Sequence, residues 1–466
     1  MMAAFRKDIR IKCSLALFLC ILSSLVITVS SQELPSFGFD SPDSSQSPQS
    51  TSSESIRQTL RMSGEMSAGT NVFIDDLKDG SSREYVDVGD LFSGKINLLA
   101  TGSRGDGYLS VDADNTVSID SPFSIDEAFV RAYLGKVDVE IGLRKITWGR
   151  ADSQGPLDVI NPQDHSDLTV LDELERKIAR PLLRLSLSLS PMARFETVYL
   201  PSFKGDQFAR DGRWMPGDMV TLQSSLALLS QLYMIPGPDA IEHTSPSTSA
   251  LGNSQIGFRF TNTFGSADVG LQYFYGYLKR PAISLVVTPG TSILVREEYN
   301  RYHQVGFDLA TVLAGINLRG EFGANITEDI SGDDPSIYNP SLVWSLGFDS
   351  SLFAGITFNV QVAGSVRLFD DDVGSKPFDI EDGSDITKTR ITTIVSRKFL
   401  RDQLEIKGTM ISGIEDTDYY LIPSASWTRD DIVFELSAGF FGGSRDGELG
   451  CYRENDYLSA SITLAF

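Results

Sequence analysis

The stretch that decides the fold is YLSASITLAF, Tyr457 to Phe466, at the end of the chain. From Leu458 onward every second residue is apolar, and the residues between them are serine, threonine or alanine. Because successive side chains of a β-strand point to opposite faces, this alternation predicts a strand with one apolar face and one small, mostly polar face. Taken alone, it fits either a strand docked on a soluble β-sandwich or a strand whose apolar face meets lipid.

The same two-residue period recurs through most of the chain in segments of about ten residues, the length of a tilted membrane-spanning strand. Strands of a soluble sandwich are more often about five or six residues long. Several segments also carry charged residues in mid-strand on the polar face, which fits a water-filled barrel interior. The clearest segments are KVDVEIGLRK (136–145), PLLRLSLSLS (181–190), INLRGEFGANI (316–326), ITFNVQVAGSVRL (356–368) and DIVFELSAGF (431–440).

The connections between these segments alternate in length. Short turns are predicted near residues 103, 135, 191, 265, 313, 353, 400 and 430, and longer polar stretches lie between them, with the short connection at 415–417 as the exception. We therefore predict an all-β fold, a transmembrane antiparallel β-barrel of about 14–18 strands with long extracellular loops, in the cell outer membrane. In a closed barrel the last strand pairs with the first, so the strand that ends at Phe466 is expected to have a partner.

Composition divides the chain into three parts. Basic residues followed by the apolar run from Ser14 to Val29 predict a signal peptide over 1–31, because the run is too short for a spanning helix. Residues 32–55 are rich in serine and proline and predict a disordered leader, and residues 56–466 form the predicted barrel. Since Cys13 and Cys20 belong to the predicted signal, the rest of the chain keeps Cys451 alone, and no intramolecular disulfide is expected.

Charge and motifs exclude several functions. The net charge of −22 argues against nucleic acid as a partner, since phosphate contacts need exposed Lys and Arg. GDLFSGKI (89–96) nearly matches a phosphate-binding loop, but Ile96 stands where a magnesium-binding Ser or Thr is needed. His165, His243 and His303 lack metal-ligand spacing, and the sequence contains no GxSxG motif. We therefore expect no enzyme activity, no cofactor and no metal; a lipid-hydrolysing barrel and a soluble periplasmic β-protein stay open as alternatives.

The polar faces of the predicted strands carry many charged residues. An arginine on the lipid face costs about 2–4 kcal/mol at the membrane midplane, so these side chains are expected to point into the lumen. Guanidinium groups bind carboxylates and phosphates well, which predicts contact with polar or anionic solutes. Carboxylates on the same faces can instead pair with the arginines; these are Asp138, Glu140, Glu321, Glu405 and Glu435. The candidate solute-contacting residues are Arg131, Arg144, Arg184, Arg259, Arg319, Arg367 and Arg390.

The most distinctive connection is the polar stretch from Gly142 to Pro181. Trp148 lies where a strand is predicted to leave the membrane, a depth that favours tryptophan, and the Asn-Pro pair at 161–162 predicts a turn. Asp158 and Asp164 can accept backbone hydrogen bonds or pair with lumen arginines. We predict a loop folded into the pore, whose residues either fix its shape or contact solute: Trp148, Gly149, Asp158, Asn161, Pro162 and Asp164.

This stretch resembles an uncharacterised family of Gram-negative outer-membrane β-barrels with a WG…D..NP.D motif, related in pattern to the alginate-export porin group. The resemblance is clearest over residues 125–205, and it implies a barrel of similar size; polysaccharide, aromatic and lipid-like cargo are proposed for that family by analogy. The last strand, ending in Phe466, resembles the signal that such barrels present to the assembly machinery. The residues that carry the motif resemblance are Arg144, Trp148, Gly149, Asp158, Asn161, Pro162, Asp164, Glu175, Arg180, Pro181, Pro201 and Phe203.

One of the long connections has a helical pattern. Apolar residues recur at helical spacing from Met219 to Met234, between Gly217 and Pro236. An apolar helix in a loop must bury one face, so we expect either a constriction or lid at the lumen mouth, or a helix lying on the rim.

Together these patterns predict an outer-membrane channel or export porin that passes polar or anionic organic solutes by passive diffusion. A plugged structural or adhesive surface barrel and a transporter of lipids or hydrophobic compounds are the alternatives. The expected partners are outer-membrane lipid, the barrel-assembly machinery through the strand ending in Phe466, and a small polar or anionic solute.

Overall fold

The structure, a computed structural model, describes residues 59–74, 86–87, 92–114, 123–153, 155–351 and 355–466. The predicted signal peptide (1–31) and leader (32–55) lie outside the described residues, so both stay predictions. Among the described residues, no helix is both long enough and apolar enough to cross a membrane.

Eighteen long strands form one closed antiparallel barrel. Each strand pairs with its neighbours in the sequence, and β1 pairs with β18 to close the ring. The strands are β1 Thr59–Phe73, β2 Ser93–Gly102, β3 Gly105–Asp114, β4 Phe123–Leu134, β5 Val137–Arg144, β6 Arg180–Ser190, β7 Ala193–Leu200, β8 Gln255–Phe264, β9 Ala267–Tyr277, β10 Arg301–Leu313, β11 Ile316–Thr327, β12 Ser341–Ser351, β13 Ile356–Arg367, β14 Thr387–Phe399, β15 Leu404–Gly413, β16 Tyr419–Arg429, β17 Ile432–Gly442 and β18 Tyr457–Ala465.

The closing pair accounts for the alternating stretch at the end of the chain. Phe73 of β1 lies opposite Tyr457 of β18, and the pairing continues to Glu65 opposite Ala465. Beyond the strand, the backbone groups of Gly64 and Phe466 exchange two hydrogen bonds of 2.8 and 2.9 Å. The terminal strand therefore has no free edge, as the sequence predicts.

The predicted barrel is confirmed, with the strand number at the upper end of the expected range. All eight short connections fall where the sequence places them, and all lie at the same end of the barrel. The longer connections lie at the other end, including the short exception between β15 and β16. Short turns at the periplasmic side and long loops at the extracellular side are the usual arrangement of such barrels.

The two faces of the wall reverse the polarity of a soluble domain. On the outer face large apolar side chains are exposed, as for Leu436 at 64% and Leu346 at 62%. On the inner face charged side chains are buried, as for Asp308 at 0% and Glu321 at 4%. A wall that exposes its apolar residues and buries its charges is stable only where lipid covers the outside.

A β-bulge in β4 turns two successive carboxylates into the barrel. The register between β3 and β4 shifts after Ser110, which leaves Asp126 without a partner in the pairing. Asp126 forms a 2.5 Å ion pair with Lys145, and the neighbouring Glu127 forms a 2.9 Å ion pair with Arg144. Because an ordinary strand would send these two side chains to opposite faces, the bulge is what lets both reach the lumen.

The extracellular connections carry their own small elements. Helix α1 spans Glu173–Arg176 and helix α2 spans Gly217–Leu232, while three short strands form a separate sheet: Ile241–Thr244, Ala282–Thr288 and Ser292–Glu298. Two-residue strands and single 3₁₀ turns complete them: Val86–Asp87, Asp164–His165, Gln207–Phe208, Pro238–Ala240, Leu251–Asn253, Asp370–Asp372 and Gly450–Tyr452.

Helix α2 confirms the helical pattern between Met219 and Met234. It buries Leu226 against Ile293 and Val295 of the three-stranded loop sheet. The helix therefore covers that sheet; the helical pattern predicts the helix, and no pattern predicts the sheet beneath it.

Candidate functional site

The connection between β5 and β6, residues 145–179, folds into the barrel, and we call it the lumen loop. Asn161 closes its neck: its Oδ1 accepts a 2.7 Å hydrogen bond from the Ile146 backbone N–H, and its Nδ2 donates to the carbonyls of Arg144 and Ile178, both at 2.9 Å. The side chain is completely buried. The Asn161 side-chain amide thus connects the segment that enters the loop with the segment that leaves it.

Trp148 lies inside the barrel, which corrects the prediction that it sits at the membrane interface. The side chain is 2% exposed, its indole N–H donates a 2.7 Å hydrogen bond to Glu196, and its ring packs against Gly257 on β8. The sequence places Trp148 close to the end of β5, but the chain turns inward there rather than along the membrane surface. A buried indole with a satisfied N–H fixes the loop against the wall.

Glu321 on β11 holds the inner part of the lumen loop. Its carboxylate accepts hydrogen bonds from three backbone N–H groups, those of Arg150, Ala151 (2.7 Å) and Leu157 (3.3 Å). Gly149, with φ of 94°, lies so close that a Cβ there would stand 2.2 Å from a Glu321 oxygen. A glycine is therefore required at this position, both for the backbone conformation and for the approach of the carboxylate.

The tip of the loop reaches β13. The backbone N–H groups of Asp152 and Ser153 donate to Gln361 Oε1 at 2.9 and 3.1 Å. The Asp152 carboxylate forms an ion pair with Arg319 and accepts a 2.7 Å hydrogen bond from Asn359. From its neck at β5 to this tip, the loop therefore covers the inner wall across the strands from β7 to β13.

The base of the loop is held by buried cations. Asp158 forms a 2.5 Å ion pair with Lys177, and the carbonyls of Asp158 and Asn161 accept hydrogen bonds of 2.8 and 2.6 Å from Lys279. The Pro162 carbonyl accepts a 2.8 Å hydrogen bond from the Ile178 backbone N–H. Asp164 accepts hydrogen bonds from Ser166 and from Gln207 (3.3 Å) of the next long loop. Each motif residue thus has a partner that shapes the loop.

All seven candidate arginines lie on the inner face, and each is paired with a carboxylate. Glu140, which is 3% exposed, is shared by three of them. The remaining candidates pair in the same way, so the lining alternates positive and negative groups. The pairs are Arg131 with Glu140; Arg144 with Glu127 and Glu140; Arg184 with Glu196 and Glu140; Arg259 with Asp308; Arg319 with Asp152 and Asp349; Arg367 with Asp370 and Glu381; and Arg390 with Glu448.

The wall opposite the loop is lined by hydroxyl groups. Register places Ser424, Ser437 and Ser459 side by side on β16, β17 and β18, with Lys407 of β15 next to Ser424. These four side chains are partly exposed, whereas the neighbouring Leu436 faces outward. We call this surface, formed by Lys407, Ser424, Ser437 and Ser459, the hydroxyl wall.

The extracellular mouth is spanned by a second loop, residues 201–254, between β7 and β8. Its Trp214, 8% exposed, is enclosed by an aromatic cluster on the ends of other strands and on the last loop. Around the ring, β16 lies nine strands from β7 in either direction, so the loop crosses the full width of the barrel. We call Trp214 with its cluster the aromatic latch: Phe73, Tyr420, Phe441, Tyr452 and Tyr457.

Glu173 in α1 is expected to titrate near neutral pH. Burial raises the pKa of its carboxyl to about 7; Arg176 and Lys177 oppose this rise, and Asp158 and Asp172 add to it. Because its ordinary pKa is 4.5, the folded loop binds an extra proton between these values, so its contribution to stability falls as pH rises through that window and stays constant above it.

We therefore expect any ion current through the barrel to become more cation-selective between about pH 6 and about pH 8, where Glu173 becomes ionised. Reversal potentials across a planar bilayer measure this, and Glu173→Gln is expected to remove the change. An unaltered pH dependence in the variant would show that Glu173 does not set the charge that the current passes.

The side chains that organise the site were not all visible in the sequence. The sequence places Glu321 among the lumen acids but does not show it as the acceptor for three N–H groups, and no sequence pattern marks Gln361 or Trp214. The contacts that these side chains make join distant parts of the chain. Ala151 and Glu321 are 170 residues apart in sequence, and Arg213 and Asn455, beside the aromatic latch, are 242 residues apart. No local pattern reports such contacts.

The polarity of the two faces of the barrel wall shows that the barrel lies in a membrane. Eighteen strands close on themselves, apolar side chains are exposed outside, and paired charges are buried inside. In lipid every backbone polar group must be satisfied internally, which a closed barrel achieves. The chain is an outer-membrane β-barrel.

Solved structures of three other proteins are similar to this chain. The chain is similar to Wzi of Escherichia coli, described as an outer-membrane protein involved in group 1 capsule assembly and a carbohydrate-binding β-barrel, at 11% identity and a TM-score of 0.46, covering 87% of this chain and 84% of that one. It is similar to the outer membrane channel DcaP of Acinetobacter baumannii at 8% identity, with a TM-score of 0.44 and coverage of 89% and 99%. A mutant porin of Rh. blastica matches at 10% identity, with a TM-score of 0.40 and coverage of 88% and 100%. No protein-family model and no curated protein sequence matches the chain.

Proposed function

We propose that this barrel is a passive diffusion channel for small polar or anionic organic solutes. The observation that carries the proposal is the contrast between two lumen walls: one is covered by a tightly anchored loop, and the other is a row of partly exposed hydroxyl groups. A rigid loop that narrows a lumen but leaves one polar wall open is the arrangement expected of a selective pore, since water and polar solutes can exchange hydrogen bonds with that wall.

The arrangement of charges in the lumen favours polar solutes and is also compatible with anionic ones. Arg259 and Arg367 are 8% exposed, so in this proposal they act within the wall. Arg131, Arg319 and Arg390 are 28%, 24% and 41% exposed, and we propose that these contact solute. A guanidinium that keeps free N–H groups beside its carboxylate partner can still bind a passing anion.

Ion selectivity tests the role of these arginines. In the wild type Arg319 forms a 2.6 Å ion pair with Asp349. Arg319→Ala removes the guanidinium and leaves the Asp349 carboxylate facing the lumen without this positive partner. We expect the chloride-to-potassium permeability ratio to fall by roughly two- to fivefold, as one lumen charge is worth about 0.5–1 kcal/mol near a water-filled surface. Reversal potentials in a salt gradient provide the ratio. An unchanged ratio for the alanine variants of all three exposed arginines would remove them from the solute path.

The aromatic latch favours a second function, a plugged structural or adhesive barrel. A loop that crosses the whole mouth and is anchored by Trp214 would block a pore if it filled the opening. Single-channel recording separates the two functions: a channel gives discrete current steps, and a plugged barrel gives none.

Assembly and family are further parts of the proposal. We propose that the chain is not an enzyme, that it belongs with the barrels related to the alginate-export group, and that the assembly machinery recognises its last strand. The proposal for recognition rests on the alternating sequence of that strand and on its aromatic last residue, Phe466.

Removal of Phe466 tests the assembly proposal. The deletion costs the two closing hydrogen bonds, each worth about 1 kcal/mol, so the folded barrel itself is expected to survive. If the residue is also the recognition signal, the amount of barrel in the outer membrane falls much more than the in vitro stability does. Quantification of heat-modifiable protein in outer-membrane fractions, next to refolding in detergent, compares the two. Equal losses in both assays would assign Phe466 a structural role alone.

A further inference from the structure

The outer face of β9 and β10 carries a cluster of aromatic rings and cations near the extracellular ends of the two strands. In the register of this pair, Tyr275 lies opposite His303, and Tyr277 lies opposite Arg301. The His303 ring stacks on Tyr275 with 4.7 Å between centroids. The Arg301 guanidinium lies over two rings, 4.3 Å from the Tyr277 centroid and 4.9 Å from the Tyr275 centroid. We call these four residues the rim cluster.

The rim cluster points away from the lumen. Successive residues of a strand alternate between faces, and the neighbours Phe274 and Tyr302 are buried inside, in the apolar cluster that also contains Trp148 of the lumen loop. Farther toward the periplasm on the outer face lie Leu271 and Val305, which are 52% and 53% exposed where lipid covers the wall. The rim cluster therefore stands at the extracellular edge of the apolar band.

The depth of the cluster matches the headgroup region of a bilayer. At about 3.3 Å per residue, Arg301 lies about 13 Å along β10 from Val305, so the guanidinium is above the apolar band. Tyrosine rings favour this interface, because the ring is apolar and the hydroxyl is polar. A cation at this level faces the charged groups of lipids.

The Arg301 guanidinium is fixed in place but keeps unused donors. Its Nη1 and Nη2 donate to the backbone carbonyls of Ser254 at 3.3 Å and Gly252 at 2.7 Å, both in the loop that leads into β8. A guanidinium has five N–H donors, so three of them have no partner among the residues that the structure describes. The group is thus oriented and still able to bind an oxyanion.

Two carboxylates lie near Arg301 in sequence or register, and within the described ranges neither forms an ion pair with it. Glu298 stands three residues before Arg301 and instead pairs with Arg296 at 3.7 Å. Glu328 would lie opposite Arg301 if the pairing of β10 with β11 continued by one residue, and its side chain is exposed. The positive charge of Arg301 therefore stays available at the rim.

His303 adds a second donor on the same face. Its Nδ1 lies 2.7 Å from the Tyr273 hydroxyl. With that hydroxyl as the donor, the neutral imidazole carries its proton on Nε2, which has no hydrogen-bond partner in the described part of the chain. The side chain is exposed. Because His303 and Arg301 are two residues apart in one strand, both can donate to one bound group.

We propose that Arg301 and His303 bind the phosphate group of a membrane lipid in the extracellular leaflet. A guanidinium recognises phosphate through charge-assisted hydrogen bonds, and the imidazole adds a further donor. The acyl chains of a lipid held there run down the apolar face that begins at Leu271 and Val305. This continuity with the lipid-covered wall favours a lipid over a free phosphate ion. The site lies outside the lumen and goes beyond the proposed channel function.

Lipid retention by the full-length protein in a non-ionic detergent tests the site. Native mass spectrometry counts the lipids that stay bound, with dioleoyl phosphatidic acid as one probe and dioleoylglycerol, which has the same acyl chains and no phosphate, as the other. We expect the wild type to retain phosphatidic acid about tenfold better, the effect of a charge-assisted contact. Arg301→Gln is expected to remove about tenfold of this retention, and Arg301→Lys to restore part of it.

A matched variant separates the site from outward arginines in general. Arg397 is also exposed on the outer face, on the same side of β14 as Val395, and lies 4.7 Å over the Phe399 ring. It stands at the periplasmic end of the barrel, and Arg397→Gln is expected to leave retention unchanged. The proposal is overturned if the wild type retains both lipids equally, if Arg301→Gln retains phosphatidic acid like the wild type, or if Arg397→Gln weakens retention as much.

Two further measurements complete the test. Inorganic phosphate is expected not to displace phosphatidic acid at equal concentration; displacement would make this a site for the free ion and contradict the lipid proposal. Heat-modifiable migration on gels shows whether each variant is folded. If Arg301→Gln does not fold, His303→Ala removes the other donor and is expected to weaken retention about threefold, the value of one hydrogen bond. Unchanged retention in that variant contradicts the site and leaves the channel proposal untouched.

Discussion

Glu321→Ala is expected to lower the free energy of unfolding by about 3–5 kcal/mol, because three backbone N–H groups lose their acceptor in a buried site. These are the N–H groups of Arg150, Ala151 and Leu157, and Glu321 itself is 4% exposed. If the loop detaches instead of staying in place with unpaired groups, the released segment widens the lumen. Urea unfolding in phospholipid measures the first effect, and single-channel conductance measures the second.

Glu435→Ala is the control for this change. Glu435 also points inward, on β17, but it is partly exposed and lies beside Ser426 and Ser461 rather than under the lumen loop. Its removal is expected to change stability by less than about 1 kcal/mol. If Glu321→Ala and Glu435→Ala behaved alike in both assays, the lumen loop would not be held by Glu321.

Trp214→Ala is expected to lower the free energy of unfolding by about 3–5 kcal/mol, the usual cost of removing a large buried aromatic side chain. The ring lies 5.7 Å from Phe441, 5.8 Å from Tyr452 and 6.1 Å from Phe73, between centroids, so its removal leaves a space among these rings. The change also frees the loop that crosses the mouth, so the extracellular entrance should open. Urea unfolding and the access rate of a large polar solute through the pore report the two effects.

Trp427→Ala provides the comparison. Trp427 stacks on Phe434 at 5.6 Å, but it is 41% exposed on the outer face. Its loss removes lipid contact and one ring pair, which is expected to cost about 1 kcal/mol. If Trp214→Ala and Trp427→Ala gave the same solute access rate, the aromatic latch would not hold the loop in place.

The fold could be predicted from sequence because its decisive signal is local. Each strand alternates between lipid and lumen, so the period of two is visible within about ten residues, and turn length is visible between the segments. The alternating residues of β18 and β11 therefore predict strand, face and turn correctly. The helical period of α2 is local in the same sense.

The interior of the barrel could not be predicted in this way. Nothing near Glu321 indicates that it accepts hydrogen bonds from Arg150, and Trp148 follows a strand end where interface and interior have the same sequence environment. Which carboxylate pairs with which arginine depends on strand register: Glu140 meets Arg131 and Arg184 only because β5 lies between β4 and β6. The motif residues predicted a folded-in loop, but their partners come from distant strands.

The three-stranded sheet in the extracellular loops is not predicted by the sequence for a related reason. Ala282–Thr288 and Ser292–Glu298 are short, and their partner Ile241–Thr244 lies about forty residues earlier, with the barrel strands β8 and β9 between them. A short strand within a loop has the sequence pattern of a polar connection with a few apolar residues. The backbone pairing of the three strands shows that they form a sheet, and α2 packs on its face.

In the proposed channel, a water-filled passage runs along the hydroxyl wall while the other side of the same strands meets lipid. Ser437→Cys and Leu436→Cys, each combined with Cys451→Ser, place a thiol on adjacent residues of β17 that face opposite ways. During single-channel recording, a charged, water-soluble thiol reagent should modify the first variant and lower its conductance in discrete steps, and should leave the second unchanged. Modification of Leu436→Cys with Ser437→Cys inert, or no current steps in either variant, would contradict the account.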